Sequence, residues 1–260
     1  MKVSFENTQV IILTAGKGER LRPLTNHIPK SLLRLFGKTL LDHNIQALFS
    51  LGLTHVTLVT GHGHAHVPPH FHRVYNASFE TTNMAYSLLE TGCVDPDKNV
   101  LVLYGDCVYE VRILYSLLKS AHDIMLSIDQ NWLSLWHLRF EDPLSDCETL
   151  RLEGDYIVDI GKKPNHLLEM DGQYTGLFFI AKDCIENFQR VYHDLKQRTE
   201  DPKKLFLTDV FQHWIDQKNP LYAHRIQGGW LECDQHSDIT LYETLFQQNK
   251  LKCFYHVDPS

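Results

Sequence analysis

The chain has 260 residues, 43% of them hydrophobic, and a formal net charge of −7. That supplies the core of one large α/β domain or two small ones. The acidic balance excludes a general nucleic-acid binder, which needs a basic face, but not a nucleotide ligand, for which a local basic cluster suffices. Residues 9–15 (QVIILTA) form an apolar run that ends at Gly16, the pattern of a buried parallel strand entering a loop. Residues 40–51 carry apolar positions at helical spacing and stop at Gly52, and 55–60 (HVTLVT) read as a second strand. Strand, helix and strand in this order make a βαβ unit with a parallel sheet and a right-handed crossover. A strand at 99–104 ending in Gly105-Asp106, a helix at 111–120 and a strand at 123–128 continue the alternation. Residues 129–180 break it with short strand-like pieces (ETLRLEG, YIVDIGK, QYTGLFFI), which read as an antiparallel, lid-like insertion. Helices at 183–197 and 208–217, a strand near 221–226 and a helix at 237–249 complete the expected chain, a single domain over 1–260.

The cysteines, Cys93, Cys107, Cys147, Cys184, Cys233 and Cys253, form no C-x-x-C pair and fit neither a zinc site nor a disulfide framework. No stretch approaches the roughly 18 apolar residues of a membrane span, and no leader precedes the first apolar run. The expectation is therefore a soluble, cytoplasmic protein with reduced thiols. The His-rich run His62, His64, His66, His70 and His72 could attract zinc or nickel, but nothing nearby completes a defined site. It reads as an exposed loop, with Pro68 and Pro69, that could act as a flap.

Residues 13–30, LTAGKGERLRPLTNHIPK, are the most informative stretch. Gly16 and Gly18 follow a strand, where glycine lets the backbone turn its N–H groups toward phosphate oxygens. Lys17, Arg20, Arg22 and Lys30 gather four cations in an acidic protein. Such a cluster suits a triphosphate, whose charge must be neutralised before a nucleophile can approach. The pattern is neither a phosphate-binding G-x-x-x-x-G-K-[ST] loop nor a G-x-G-x-x-G fingerprint, since Leu21 occupies the third glycine position. Asp106, and Asp234 in GGWLECD, each follow a strand-like run and a turn. Two carboxylates at the C-terminal edge of the sheet are what a phosphate-bridging Mg²⁺ needs, although either alone is equally a turn residue.

The GxGxRLxPLT…PK stretch resembles the signature of the sugar-nucleotidyltransferase superfamily. The resemblance implies a Rossmann-like, mostly parallel sheet flanked by helices, with a small antiparallel lid and the nucleotide at the C-terminal strand ends. It also implies that Arg20 contacts phosphates, Lys30 is catalytic, and Asp106 and Asp234 hold Mg²⁺. Leu13, Ala15, Gly16, Lys17 and Gly18 would form the nucleotide loop. The segments TTNMAYSLL, DQNWLSLWHLRFEDPLSDCE, IGKKPNHLLEMDGQYTG, TDVFQHWI and GWLECD are similar to the phosphocholine cytidylyltransferase-like branch, which includes enzymes acting on 2-aminoethylphosphonate. That likeness implies CTP and a small phosphorylated amine as ligands, Asn83 and Ser87 beside the nucleotide, and Lys162 near the phosphoryl groups. An ammonium ligand needs aromatic faces and a carboxylate, and Trp132, Trp136, Tyr174, Trp230, Asp209 and Glu232 are the candidates. A sugar-1-phosphate nucleotidyltransferase and a catalytically silent, nucleotide-binding regulatory subunit are the alternatives. The aromatic-rich segments speak against the first, and the retained Arg20, Lys30 and acidic pair against the second. Oligomeric state is open, a homo-oligomer included.

Overall fold

The N-terminal apolar run forms strand β1, Thr8–Thr14, buried along its whole length. The structure, a computed structural model, describes residues 5–257; residues 1–4 and 258–260 of the expected domain lie outside the described residues. The other strands are β2 (Arg34–Leu35), β3 (Lys38–Thr39), β4 (Val56–Thr60), β5 (His72–Tyr75), β6 (Asn99–Tyr104), β7 (Cys107–Tyr109), β8 (Ile124–Asp129), β9 (Leu150–Glu153), β10 (Tyr156–Ile160), β11 (Gln173–Ile180), β12 (Tyr222–Ile226) and β13 (Trp230–Glu232). The helices are α1 (Leu40–Ser50), α2 (Met84–Leu89), α3 (Val111–Lys119), α4 (Trp132–Arg139), α5 (Lys182–Arg198), α6 (Leu207–Asp216) and α7 (His236–Gln247). Helix α1 begins with a capping box between Thr39 and Asp42, and the chain leaves it through Gly52 at φ +77°.

Nine strands form one sheet in the order β5-β4-β1-β6-β11-β8-β12-β10-β9. Strands β5, β4, β1 and β6 are mutually parallel, and β12 runs parallel to β8. Strand β11 lies antiparallel between β6 and β8. The sheet is thus mostly parallel in its first half and mixed beyond. The pieces expected as an insertion divide: the β9–β10 hairpin extends the sheet edge, whereas β11 is an interior strand. Its LFFI segment is buried on both faces because helices cover both sides there. Successive residues of β1 and β6 serve two cores, with Val10, Ile12, Leu101 and Leu103 on one face and Ile11, Leu13, Val100 and Val102 on the other.

From β1 the chain moves outward through β4 and β5, then returns to place β6 on the opposite side of β1. The C-terminal ends of β1 and β6 therefore flank a reversal of strand order, where open α/β sheets leave a crevice for a ligand. Helix α4, inside the stretch expected as a lid-like insertion of short strands, packs Trp132 against Trp136 and Trp136 against Trp230, with ring centroids 5.8 Å apart in each pair. These side chains are 5%, 1% and 2% exposed. If Trp136 is core, Trp136→Ala should destabilise the protein by about 3–5 kcal/mol in denaturant unfolding. A loss below about 1 kcal/mol would refute that placement.

Candidate active site

After β1 the chain turns at Gly16 and at Gly18, the latter left-handed at φ +61°. A Cβ on Gly18 would lie 2.7 Å from Lys30 Cγ, so the loop closes directly on the Lys30 stem. Thr25 Oγ1 donates to the Gly18 carbonyl at 2.7 Å and holds the loop folded. Gly105 makes a second close approach. Its N–H donates to the Leu13 carbonyl at 3.0 Å, and a Cβ there would sit 2.7 Å from that oxygen. The two strand ends are thereby drawn together.

A two-stranded antiparallel ribbon then brings the acidic residues into one place. In the β7–β13 pair, Glu232 lies opposite Cys107, and the Cys233 N–H donates to the Asp106 carbonyl at 2.9 Å. Asp106 just precedes β7 and Asp234 lies two residues past the end of β13, and both carboxylates reach the same point. The Lys30 ammonium lies there, 3.0 Å from Asp106 Oδ2 and bonded also to Asp234 Oδ1. Burial alone would lower the Lys30 pKa, but the two carboxylates outweigh it and hold the pKa well above its usual value. Arg20 bridges Asp234 and Asp146, which likewise raise its pKa against the lowering effect of burial.

Leu13, Ala15, Gly16, Gly18, Arg20, Lys30, Asn83, Ser87, Asp106 and Asp234, all candidates from the sequence, are brought together around one cavity of about 370 Å³. Lys17 does not line it. Asn83 and Ser87 are partly committed elsewhere: Asn83 Nδ2 donates to the Lys204 carbonyl at 2.6 Å, and Ser87 Oγ accepts from Asn76 Nδ2 at 3.0 Å. The lysine ammonium already occupies a cation position between Asp106 and Asp234, and these two carboxylates are the donors a divalent ion would meet there. Mg²⁺ is commonly held by one or two carboxylates, with phosphates and water completing its shell. Among the described residues no group of three or more His, Cys, Asp or Glu could hold a metal, the His-rich run included.

A second cavity of about 500 Å³ adjoins the first, sharing Arg20, Met84 and Asp234 with it. Its walls include Tyr104, Tyr174, Asp146, Glu148, Gln173 and Glu232. Of the ligand-box candidates, Glu232 and Tyr174 line this second cavity. Burial pushes the Glu232 pKa up to about 7, partly opposed by Arg139. Burial also raises the pKa values of Asp146 and Glu148; Arg139 and Arg20 offset the first, while the Thr208 hydroxyl offsets the second. The Gln173 Oε1 is buried without a hydrogen-bond partner among the described residues, and the buried Tyr174 hydroxyl lies against that of Tyr104.

Several candidates are placed elsewhere. Trp132, Trp136 and Trp230 back the site from the core instead of facing it, and the Trp230 N–H is taken by Asp129 at 2.9 Å. Lys162 pairs with Asp159 at the exposed edge, while its neighbour Lys163 lines the second cavity. Asp209 caps α6 by accepting the Phe206 N–H at 2.7 Å, and Thr208 faces the cavity in its place. Sequence reasoning missed Tyr104, Asp146, Glu148 and Gln173 as individual site residues. Asp146 and Glu148 sit in the quoted DPLSDCE segment, where an acidic turn and a binding wall look alike.

With this geometry in hand, the chain matches over residues 10–200 a family described as the MobA-like NTP transferase domain. It belongs to this family of nucleotidyltransferases. A CTP:phosphoglutamine cytidylyltransferase from Campylobacter jejuni is 29% identical over 244 residues, covering 88% of this chain and 96% of that protein. Two solved structures share the fold. The inositol-1-phosphate CTP transferase from T. maritima superposes with a TM-score of 0.70 at 20% identity, over 96% of this chain and 98% of that one. The CTP:phosphocholine cytidylyltransferase from Streptococcus pneumoniae gives 0.69 at 19% identity, over 92% of this chain and 99% of that one. Among the described residues no helix of this nucleotidyltransferase is long and apolar enough to cross a membrane.

A Cβ on Gly16 would meet nothing within 4 Å. Gly16→Ala should therefore leave stability within about 0.5 kcal/mol. If phosphates approach this backbone, the variant should raise the nucleotide KM roughly tenfold, or about 1.4 kcal/mol, in steady-state kinetics. An unchanged KM would mean that no phosphate comes near Gly16.

Proposed function

We propose that this nucleotidyltransferase joins CTP to a small phosphate or phosphonate that carries an amine at its other end, releasing pyrophosphate. The observation that carries this reading is the junction of two cavities at Arg20 and Asp234: one rimmed by the glycine loop, the other walled by carboxylates and tyrosines. The first suits a triphosphate. The second suits a cationic or amide-bearing group, because Glu148 stands on its wall with no cation paired to it among the described residues and the buried Gln173 Oε1 is an acceptor left open there. The β9–β10 hairpin and the following loop would act as the acceptor-side wall. The Campylobacter jejuni relative, named for CTP and phosphoglutamine, supports both halves of the reading. The enzyme would work in the cytoplasm.

In this mechanism an acceptor phosphoryl oxygen attacks the α-phosphorus in line. A new P–O bond forms as the bond from the α-phosphorus to the bridging α–β oxygen breaks, and its electron pair leaves with pyrophosphate. The attacking oxygen is already anionic near neutral pH, so no general base is required, and catalysis is positioning plus charge stabilisation. Arg20, at the boundary of the cavities, would clamp phosphoryl oxygens arriving from either side. Lys30, kept protonated by its carboxylates, would follow the developing charge at the reacting phosphorus. Asp106 and Asp234 would hold Mg²⁺, whose chemistry is to neutralise the departing phosphates. Glu148 would orient the amine, with Tyr104 and Tyr174 offering aromatic faces.

Pyrophosphate release should be measured with four nucleoside triphosphates against phosphocholine, 2-aminoethylphosphonate, phosphoglutamine and sugar 1-phosphates. The reading expects turnover with CTP and at least one nitrogen-bearing acceptor. Turnover only with sugar phosphates would overturn the acceptor class, and none at all would favour a silent nucleotide-binding subunit. Asp106→Asn should abolish turnover with the fold intact. Glu148→Gln should raise the acceptor KM roughly tenfold while leaving the CTP KM unchanged, since hydrogen bonds to charged groups are worth about 1.5–3 kcal/mol.

A further inference from the structure

Arg139, the last residue of α4, has a side chain with no solvent exposure. Its guanidinium lies over the rings of Trp136 and Phe140, 4.5 and 4.9 Å from their centroids. The rings cover its faces and leave its edges for carboxylates. Nε and Nη2 donate to the two oxygens of Asp238, each at 3.0 Å, and Nη1 donates to Glu232 Oε2 at 2.9 Å. A buried ion cluster of this kind is weak evidence for stability, because desolvation offsets much of the attraction and an apolar replacement often does as well. Its placement calls for a different account.

Both carboxylates that Arg139 binds flank Asp234. On the C-terminal side, Asp238 Oδ2 also accepts the main-chain N–H of Asp234 at 2.9 Å and of Gln235 at 2.8 Å. On the N-terminal side, Glu232 is held through its carboxylate by Arg139 and through its carbonyl by the Tyr242 hydroxyl at 2.9 Å. Between them, Cys233 is tied to the Asp106 main chain. The segment that delivers Asp234 is thus clamped on both sides, and one guanidinium joins the two clamps.

We infer that Arg139 is a positioning residue for the transfer reaction: through Asp238 and Glu232 it fixes where the Asp234 carboxylate stands relative to Asp106. The inference rests on the reading that Asp106 and Asp234 hold the metal. It assigns a role to a side chain that lines neither of the two site cavities and touches no reacting atom. Only arginine can serve two carboxylates with a fixed fork, because lysine has a single donor centre.

The test uses Arg139→Lys, which keeps the buried charge but loses the fork, and Asp238→Asn, which keeps an acceptor for the Asp234 N–H but turns an N–H toward Arg139. The second variant serves if the first fails to fold. Mn²⁺ binding is read by electron paramagnetic resonance with CTP present and no acceptor, then kcat and KM are measured with the acceptor. Substitution of residues that orient metal ligands weakens affinity or activity by roughly 10–100-fold, and that loss is expected in both Mn²⁺ affinity and kcat. The acceptor KM should stay within about twofold, the mark of an interaction used in the transition state. Folded variants with a lower Tm but wild-type Mn²⁺ affinity and kcat would overturn the inference and leave Arg139 a core residue. If the wild type binds no Mn²⁺, or if Asp234→Asn binds it as well as wild type does, the metal reading falls and the inference with it. Mn²⁺ binding lost in Asp234→Asn but unchanged in the Arg139 and Asp238 variants would sink the inference alone.

Discussion

The pairing of β7 with β13 is the constraint on which the site depends. Residues 106 and 234 are far apart in sequence, and each carboxylate alone is an ordinary turn residue. The antiparallel ribbon sets residue 106 opposite residue 233, and just past the paired residues both carboxylates reach the Lys30 ammonium beside the glycine loop. A shift of one residue would send alternate side chains to the other face and dissolve the arrangement. Much of the surrounding structure serves this register. Gly105 approaches β1 without a Cβ, Asp129 accepts the Gly228 N–H and the Trp230 indole N–H, and the ribbon's own Trp230 packs into a core that includes Trp132 and Trp136.

The ribbon also concentrates negative charge. Asp106, Asp146, Glu232 and Asp234 interact electrostatically around one point, and Arg20, Lys30 and Arg139 balance them. Two of these cations line the cavities, while Arg139 lies sealed in the interior. That division is physically sensible. Cations that line a cavity can transfer to phosphate oxygens when a nucleotide arrives, whereas a buried guanidinium with its edges filled stays where it is. The ammonium of Lys30 holds the acidic pair together, and a divalent cation with its phosphate would compete for the same partners.

Much of this was legible in the chain because it is locally encoded. The apolar runs of β1, β4 and β6 and the stop at Gly52 need no long-range information. The glycines and cations gathered in residues 16–30 are a chemical choice that a turn does not require, and the acid after β6 gains meaning only beside them. Four features were not legible, for definite reasons. Strand β11 was read as part of an insertion because its central place comes from pairing with β6 and β8, which no local pattern records. Trp132, Trp136 and Trp230 were read as a ligand box because core and box ask for the same residues, and only burial separates them. Lys162 and Lys163 are adjacent and alike, and the turn after β10 decides which faces the cavity. Asp209 looked like a ligand group, yet a carboxylate at the third position of a helix satisfies the helix's own N–H groups first.

The central claim is that Asp106 and Asp234, brought together by the ribbon, form the cation position of a nucleotidyltransferase and that Lys30 yields it when substrate binds. A crystal structure with CTP and Mn²⁺, located by anomalous scattering, tests this most directly. The account predicts an Mn²⁺ ion bound by both carboxylates, with the Lys30 ammonium moved from them onto a phosphate oxygen. A metal bound elsewhere, or CTP seated with Lys30 still between the two carboxylates, would contradict it.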